Sequence, residues 1–313
     1  MGLETKGFCG DTWTLSATHL FNSLYSLRYS MRLLPAVLAV VCSLSIPLAA
    51  WGRKGHEITA SLAFRDLPPE LGPWFQGQEA ILLDHCNDPD EWRQGDAQEA
   101  PRHFLHAEAY GGPAGVPRDI QEAEARLGPE AFEQNGQVPW IIQQRVERLA
   151  KAFRAGDPAR AALESAILCH YVGDLNVPLH TTANYNGQLT GQHGVHARWE
   201  TGLVERLGSW DPEPRPATPG EAAWFAPFQW LQESYALVAP LLRDDAASTE
   251  PSLAQSSQWN AQISHYWTEF RRRQTPCVKE QLERAGHRTA EMILLAWTLA
   301  GQPELTRAVL QAG

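Results

Sequence analysis

The chain has 313 residues, 43% of them hydrophobic and 20% charged, with a formal net charge of −10. That supplies apolar material for one large core or two modest ones. The acidic balance argues against a nucleic-acid binder that works through a broad basic face, but not against an enzyme whose cation is a metal cluster, because bound divalent ions dominate their local field.

Residues 1–30 contain no apolar run and precede a credible start at Met31; an over-extended gene start or a disordered extension is expected there. Residues 31–50, MRLLPAVLAVVCSLSIPLAA, have a basic start at Arg32, an apolar centre and a small-residue exit at Ala49-Ala50. This is the pattern of a secretory signal peptide, and it is short for a membrane-spanning helix. Removing the first 50 of 313 residues leaves 263, residues 51–313, expected to form one domain. The removed part holds Lys6, Arg28 and Arg32 against Glu4 and Asp11, so the charge moves from −10 to −11. Cys9 and Cys42 leave with it; Cys86, Cys169 and Cys277 remain and allow at most one internal disulfide.

Cleavage after Ala50 would turn the amine and carbonyl of Trp51 into a chelating pair. An α-amine titrates near ~8, so it can lose its proton to a metal ion. The segment WGRKGH then brings His56 within reach of the same ion.

Helical periodicity dominates the rest. Residues 139–155 open on Pro139, repeat Ile142, Val146, Leu149 and Phe153 at spacings of four and three, and close on Gly156. Asp157-Pro158 reads as a cap and first-turn proline for a helix over 158–175. Ile263, Tyr266, Trp267 and Phe270 form another stripe, and 276–300 reads as a long helix ending at Gly301. Loops are marked by Pro68-Pro69, 111–117, 185–194 and 211–220. No sustained alternation appears, so strands should be few and short. The fold class expected is all-α, a single mainly helical domain.

On the 158–175 helix, Leu163, Ile167, His170 and Asp174 share one face. The apolar stripe therefore ends in an imidazole and a carboxylate one turn apart, which are costly to bury without partners. Taken alone, that pair reads as a satisfied core histidine. The continuation HYVGDLNVPLH shifts the balance, because Pro178 ends the helix and returns His180 to the same region. His196 and Glu200 in HARWE have the i, i+4 spacing that aims two ligands at one ion. In PDEWRQGDAQEAPRHF, Asp90 and His103 flank a loop-like run that can fold back on one centre, with Asp88 and Asp96 as rivals for the carboxylate. His193 reads as a solvated loop residue. His85, His265 and His287 read as structural or surface groups, and Trp259, Trp267 and Trp297 as core.

WGRKGH, PDEWR, His103-Phe104, HYVGDLNVPLH and HARWE together resemble the zinc-dependent single-strand-specific nucleases, the nuclease S-one and P-one family. That family shares its fold and ligand order with bacterial zinc-dependent phospholipase C. The resemblance runs from Trp51 to Glu200, with fainter echoes at 230–234 and 285–292. It implies three zinc ions at the bottom of a cleft. One would take Asp90, His103, His170 and Asp174. A second would take His180, His196 and Glu200. The third would take the Trp51 amine and carbonyl, His56 and Asp174, which bridges to the first. Imidazole and carboxylate donors suit zinc, and incomplete protein coordination leaves room for substrate.

The resemblance further implies a secreted or periplasmic monomer without a stable protein partner, acting as an endonuclease. It would hydrolyse single-stranded DNA and RNA to 5′-phosphorylated products by zinc-activated hydroxide. Asp174 and Arg93 are the expected catalytic groups, Arg93 beside the scissile phosphate; an ion pair with a helix carboxylate is the alternative for Arg93. Phe104 matches the ring on which these nucleases stack a base; packing that orients the adjacent His103 is the alternative. His106 stands where they carry the acid or amide that reads it.

The departures point towards phospholipid as an alternative substrate. The stretch between His180 and His196 is short and lacks a Gly-Gly-Asn element, and Glu200 replaces the usual Asp. The tight Trp51-to-His56 spacing and PDEWR favour the nuclease. A reading of another class is a non-catalytic, zinc-stabilised binding protein.

Overall fold

Two proline-opened helices carry the middle of the molecule. We number the α-helices of five residues or more in chain order. They are α1 (Gly52–Arg65), α2 (Glu79–His85), α3 (Asp88–Trp92), α4 (Ile120–Leu127), α5 (Pro129–Asn135), α6 (Val138–Ala155), α7 (Pro158–Leu175), α8 (Ala226–Ala236), α9 (Val238–Ala247) and α10 (Trp259–Leu299). The computed structural model describes residues 51–218, 223–249 and 259–305. The expected extension (1–30) and signal segment (31–50) lie outside the described residues, as does the side chain of Trp259. Among the described residues there is no strand, only an isolated bridge between Leu105 and Gly136, so the all-α expectation holds.

The α6–α7 pair forms for local reasons. Gly156 adopts the left-handed conformation (φ 67°) that ends α6, and its N–H returns to the carbonyls of Ala152 and Phe153. Asp157 then caps α7, accepting from Arg160 N at 2.9 Å, with Pro158 in the first turn. Helix α7 packs against α1, α2, α6 and α10. It is buried on nearly every side from Ser165 to Leu175, not only along the expected stripe. A helix enclosed by neighbours in this way has no solvent face to keep polar. Whatever chemistry α7 carries is therefore placed in the interior.

Helix α10 corrects one expectation. The stripe at 263–270 and the helix expected over 276–300 are one rod of 41 residues, with Pro276 inside it. An interior proline removes a backbone donor and usually breaks a helix. Here Phe270 lies before it and Val278 and Leu282 after it, all three fully buried in one cluster with Trp51, Leu179 and Trp199. Anchoring on both sides offsets the lost hydrogen bond, since each such side chain contributes roughly 1.5–3 kcal/mol on burial. Further along, a Cβ on Gly286 would stand 2.5 Å from Cβ of Leu62, so the close approach of α10 to α1 needs a glycine there.

The segment HARWE also departs from a regular helix. A single turn, Val195–Ala197, passes into a π-helical stretch, Arg198–Leu203. Among the described residues no disulfide forms: Cys86, Cys169 and Cys277 are free thiols. No helix among the described residues is long and apolar enough to cross a membrane.

Candidate metal centre

The side chains singled out in the sequence converge from six places. Helix α1 brings His56, α3 brings Asp90, the 3-10 turn Ala100–His103 brings His103, and α7 brings His170 and Asp174. His180 follows on the turn Pro178–Thr181, and the turn and π-helical stretch at 195–203 supply His196 and Glu200. Three sets have ligand atoms within 4.8 Å of one another: His56, His170 and Asp174; Asp90, His103 and His170; and His180, His196 and Glu200. Apart from Asp90 every member is buried, and Asp174 and Glu200 are fully so.

Three of the spacings fit a cation better than a hydrogen bond, while His196 Nε2 reaches Oε2 of Glu200 at 2.9 Å. Nε2 of His56 is 3.6 Å from Oδ1 of Asp174, Nε2 of His170 is 3.4 Å from Oδ2, and Nε2 of His180 is 3.5 Å from Oε2 of Glu200. Two donors at about 2.0–2.2 Å from a tetrahedral ion stand about 3.4 Å apart. Oδ1 of Asp174 and Oε1 of Glu200 are buried with no hydrogen-bond partner, an arrangement that costs roughly 1–3 kcal/mol per group unless something compensates it. An unmatched Asp174 oxygen facing His56, with Oε2 of Glu200 set against His180 and His196, makes a donor set for zinc or a similar divalent ion.

The outer faces of the rings are fixed as metal-binding histidines require. Nδ1 of His170 lies 2.8 Å from the Cys86 carbonyl, and Nδ1 of His180 lies 2.6 Å from the His103 carbonyl. Both leave Nε2 to face inward. His103 is reversed: Nδ1 meets Asp174 at 2.9 Å and His170 at 3.1 Å, while Nε2 faces Glu99 at 3.5 Å. The rings of His56 and His170 stack at 3.9 Å.

Burial sets the protonation. It pushes His103 down to about 4 and His170 well below the ordinary range, the latter helped by His56 and His103; His180 is also lowered, mainly by burial. Neutral imidazole is the ligating form. Burial, reinforced by Asp90 and Glu200, raises Asp174 well above the usual carboxylate range. For Glu200, burial acts upward but His196 and His180 outweigh it and hold the carboxyl at about 2.

Gly173 matters to this packing. A Cβ there would stand 3.2 Å from Nδ1 of His56 and 3.4 Å from Cδ1 of Trp51, so a side chain beside Asp174 would press on both. Trp51 is fully buried, its indole N–H donating to the Gly173 carbonyl at 2.6 Å. Its backbone nitrogen lies 3.1 Å from Oε2 of Glu200, so the structure sets it beside the third of these sets. The resemblance instead pairs it with His56 and Asp174.

The rivals for Asp90 are engaged elsewhere: Asp88 faces His85 at 2.8 Å, and Asp96 accepts from Gln98 N. Asp90 lies 3.9 Å from both Nδ1 of His103 and Nε2 of His170. Arg93 makes an ion pair with Asp90 at 3.2 Å, the alternative its spacing allowed, at the edge of the donor array. Phe104 and His106 are half-buried and in ring contact at 4.6 Å. His287 pairs with Asp66 and Glu291, away from the donors.

Sequence reasoning missed Glu99. Its carboxylate is buried and takes hydrogen bonds from Tyr171 and Arg102. Burial acts to raise its pKa, but hydrogen bonds from His103 and Tyr171 win and hold it at about 2. The i, i+4 relation to His103 was the available signal. Also missed was Asp245, which receives Arg198 from the π-helical stretch, Gln192 from the preceding loop and Tyr266 from α10. It ties the segment carrying His196 and Glu200 to α9 and α10.

An all-helical body encloses three histidine–carboxylate sets, two of them sharing His170, whose donor atoms could hold metal ions. The sequence model of the S1/P1 nuclease family matches residues 51–213, which span every donor described above, and the chain belongs to that family. Nuclease P1 of Penicillium citrinum and nuclease PA3 of a Penicillium species are each 25% identical to it over 171 residues, covering 50% of this chain and 59% of the relative. The chain thus matches less than two thirds of the length of those relatives. Among solved structures, an alpha toxin from Clostridium absonum aligns with a TM-score of 0.37 and 13% identity, over 82% of this chain and 64% of the toxin.

Proposed function

We propose that this protein is a secreted zinc-dependent phosphodiesterase, an endonuclease that cuts single-stranded DNA and RNA to leave 5′-phosphates. The observation that carries the reading is the buried, overlapping donor array, with His170 shared by two of its sets and unpartnered oxygens on Asp174 and Glu200. Family membership supplies the reaction class.

Asp90, His103, His170 and Asp174 would hold one zinc; His180, His196 and Glu200 a second; and the Trp51 terminus, His56 and Asp174 a third. When bound, the ions supply Lewis-acid charge for the phosphodiester oxygens and acidify water. The protein's part is to hold the imidazoles of His103, His170 and His180 neutral through burial and to keep the carboxylates buried around the array. Asp174 would contribute to two of these zinc positions. Arg93, at the least buried edge of the array, presents a guanidinium to a phosphate oxygen while Asp90 fixes its direction. No side chain need act as nucleophile. Removal of the leader after Ala50 converts the Trp51 amide into the amine that completes the array.

The test is hydrolysis of single-stranded DNA, single-stranded RNA and phosphatidylcholine by the purified mature protein, with zinc analysis and a chelator control. Cleavage of the nucleic acids, close to three zinc per chain and loss of activity with chelator are expected. Turnover of the lipid alone would replace the nuclease with a phospholipase C, the reading that Glu200 and the short 181–195 stretch favour. Stoichiometric zinc with no phosphoester turned over would leave a zinc-stabilised binding protein.

A further inference from the structure

We infer that Tyr185, not Phe104, is the ring on which this protein stacks a nucleobase; the inference rests on the nuclease reading and specifies its substrate contact. Phe104 is poorly placed to receive a base. His106 lies over it, centroids 4.6 Å apart and planes 26° from parallel, and a Cβ on Gly136 would stand 2.6 Å from its Cδ2. The ring is thus engaged by its own chain. His106 passes the stack outward: its imidazole lies 5° from parallel with the Tyr185 ring at 5.8 Å. Tyr185 is 42% exposed, whereas Phe104 and His106 are half-buried. It also meets His196 edge-on at 6.4 Å, which places it directly beside the donors. A base lying on Tyr185 would have its phosphate within a nucleotide's reach of His180, His196 and Glu200.

The loop that presents Tyr185 is held in place. Glu108 accepts from Thr182 Oγ1 and from Ala183 N. Asn184, next to the tyrosine, accepts from Leu189 N at 2.8 Å and donates to Thr190 Oγ1 at 3.1 Å. A ring fixed in advance loses little freedom when a base lands on it. Stacking of this kind tolerates any base, since every base offers a π-face. His106 is then a positioning residue that backs Tyr185, which accounts for an imidazole at a position where base-reading nucleases carry an acid or amide.

The experiment is calorimetric binding of thymidine 5′-phosphate and of 2-deoxyribose 5-phosphate to the zinc-loaded protein and its variants. The wild type should bind the nucleotide roughly ten-fold or more tightly than the sugar phosphate. Tyr185→Ala should remove most of that difference and leave sugar-phosphate affinity as it was, while Tyr185→Phe restores it. Phe104→Leu should cost the nucleotide less than Tyr185→Ala. Equal affinity of the wild type for both ligands, or unchanged nucleotide affinity in Tyr185→Ala, overturns the inference even where single strands are cleaved. Loss of nucleotide affinity in Phe104→Leu but not in Tyr185→Ala also overturns it. Should the wild type discriminate the ligands through Tyr185 yet cleave no strand, the stacking role stands and the nuclease reading falls.

Discussion

Nδ1 of His103 stands 2.9 Å from Oδ2 of Asp174, although 71 residues separate them. The other oxygen of that carboxylate faces His56 at 3.6 Å and has no hydrogen-bond partner. One side chain therefore serves two sides of the array.

Asp174→Asn should accordingly disturb more than one zinc. The amide keeps the shape but removes the charge, and its NH2 must point at one of the imidazole sets. We expect more than one equivalent of zinc to be lost by elemental analysis, and activity to fall about 100-fold or more. Full metal content with full activity would show that the carboxylate is not shared.

Glu99→Gln tests the group that orients His103 from outside. Carboxylates behind metal-binding histidines are worth about 10–100-fold in metal affinity. The substitution should weaken zinc by that range in a chelator competition while leaving the helical circular dichroism signal intact. An unchanged zinc affinity would reduce Glu99 to a packing partner of Tyr171 and Arg102.

The metal-free protein should lose stability as the pH falls. Burial lowers His103 from 6.5 to about 4, and His170 and His180 shift the same way. Between pH 6.5 and 4 the unfolded chain takes up protons on these rings and the folded chain does not, so acid favours unfolding. Asp174 is shifted upward and works in the opposite sense, one group against three. Denaturation midpoints of the zinc-stripped protein should therefore drop from pH 6.5 towards 4; a flat or rising trend would contradict the burial of neutral imidazoles.

A free amine at Trp51 should be needed for full metal loading. In the structure its nitrogen lies 3.1 Å from Glu200, inside the donor array. Protein carrying one added glycine before Trp51 should bind about one zinc fewer than protein that begins at Trp51. Identical zinc content in the two would remove the terminus from the site.

Much of this was legible in the sequence because the signals were local. The caps at Gly156 and Asp157, the first-turn prolines and the His170–Asp174 spacing each depend on a few neighbouring residues. What escaped depended on tertiary partners. Glu99 is defined by Tyr171, 72 residues away, and Asp245 by Arg198, 47 residues away. The passage of α10 through Pro276 is likewise set by what Phe270, Val278 and Leu282 pack against, which periodicity does not encode. The π-helical widening at 198–203 follows no residue pattern read beforehand.

Trp51 has a φ of 40°, left-handed territory where a residue with a side chain pays about 1–2 kcal/mol. That torsion is defined by the carbonyl carbon of residue 50, so hydrolysing the bond between Ala50 and Trp51 abolishes it. The indole can then keep its seat against Gly173 with no backbone penalty. Peptidase action would thus favour docking twice, by creating an amine and by deleting a rotation that the intact precursor must hold.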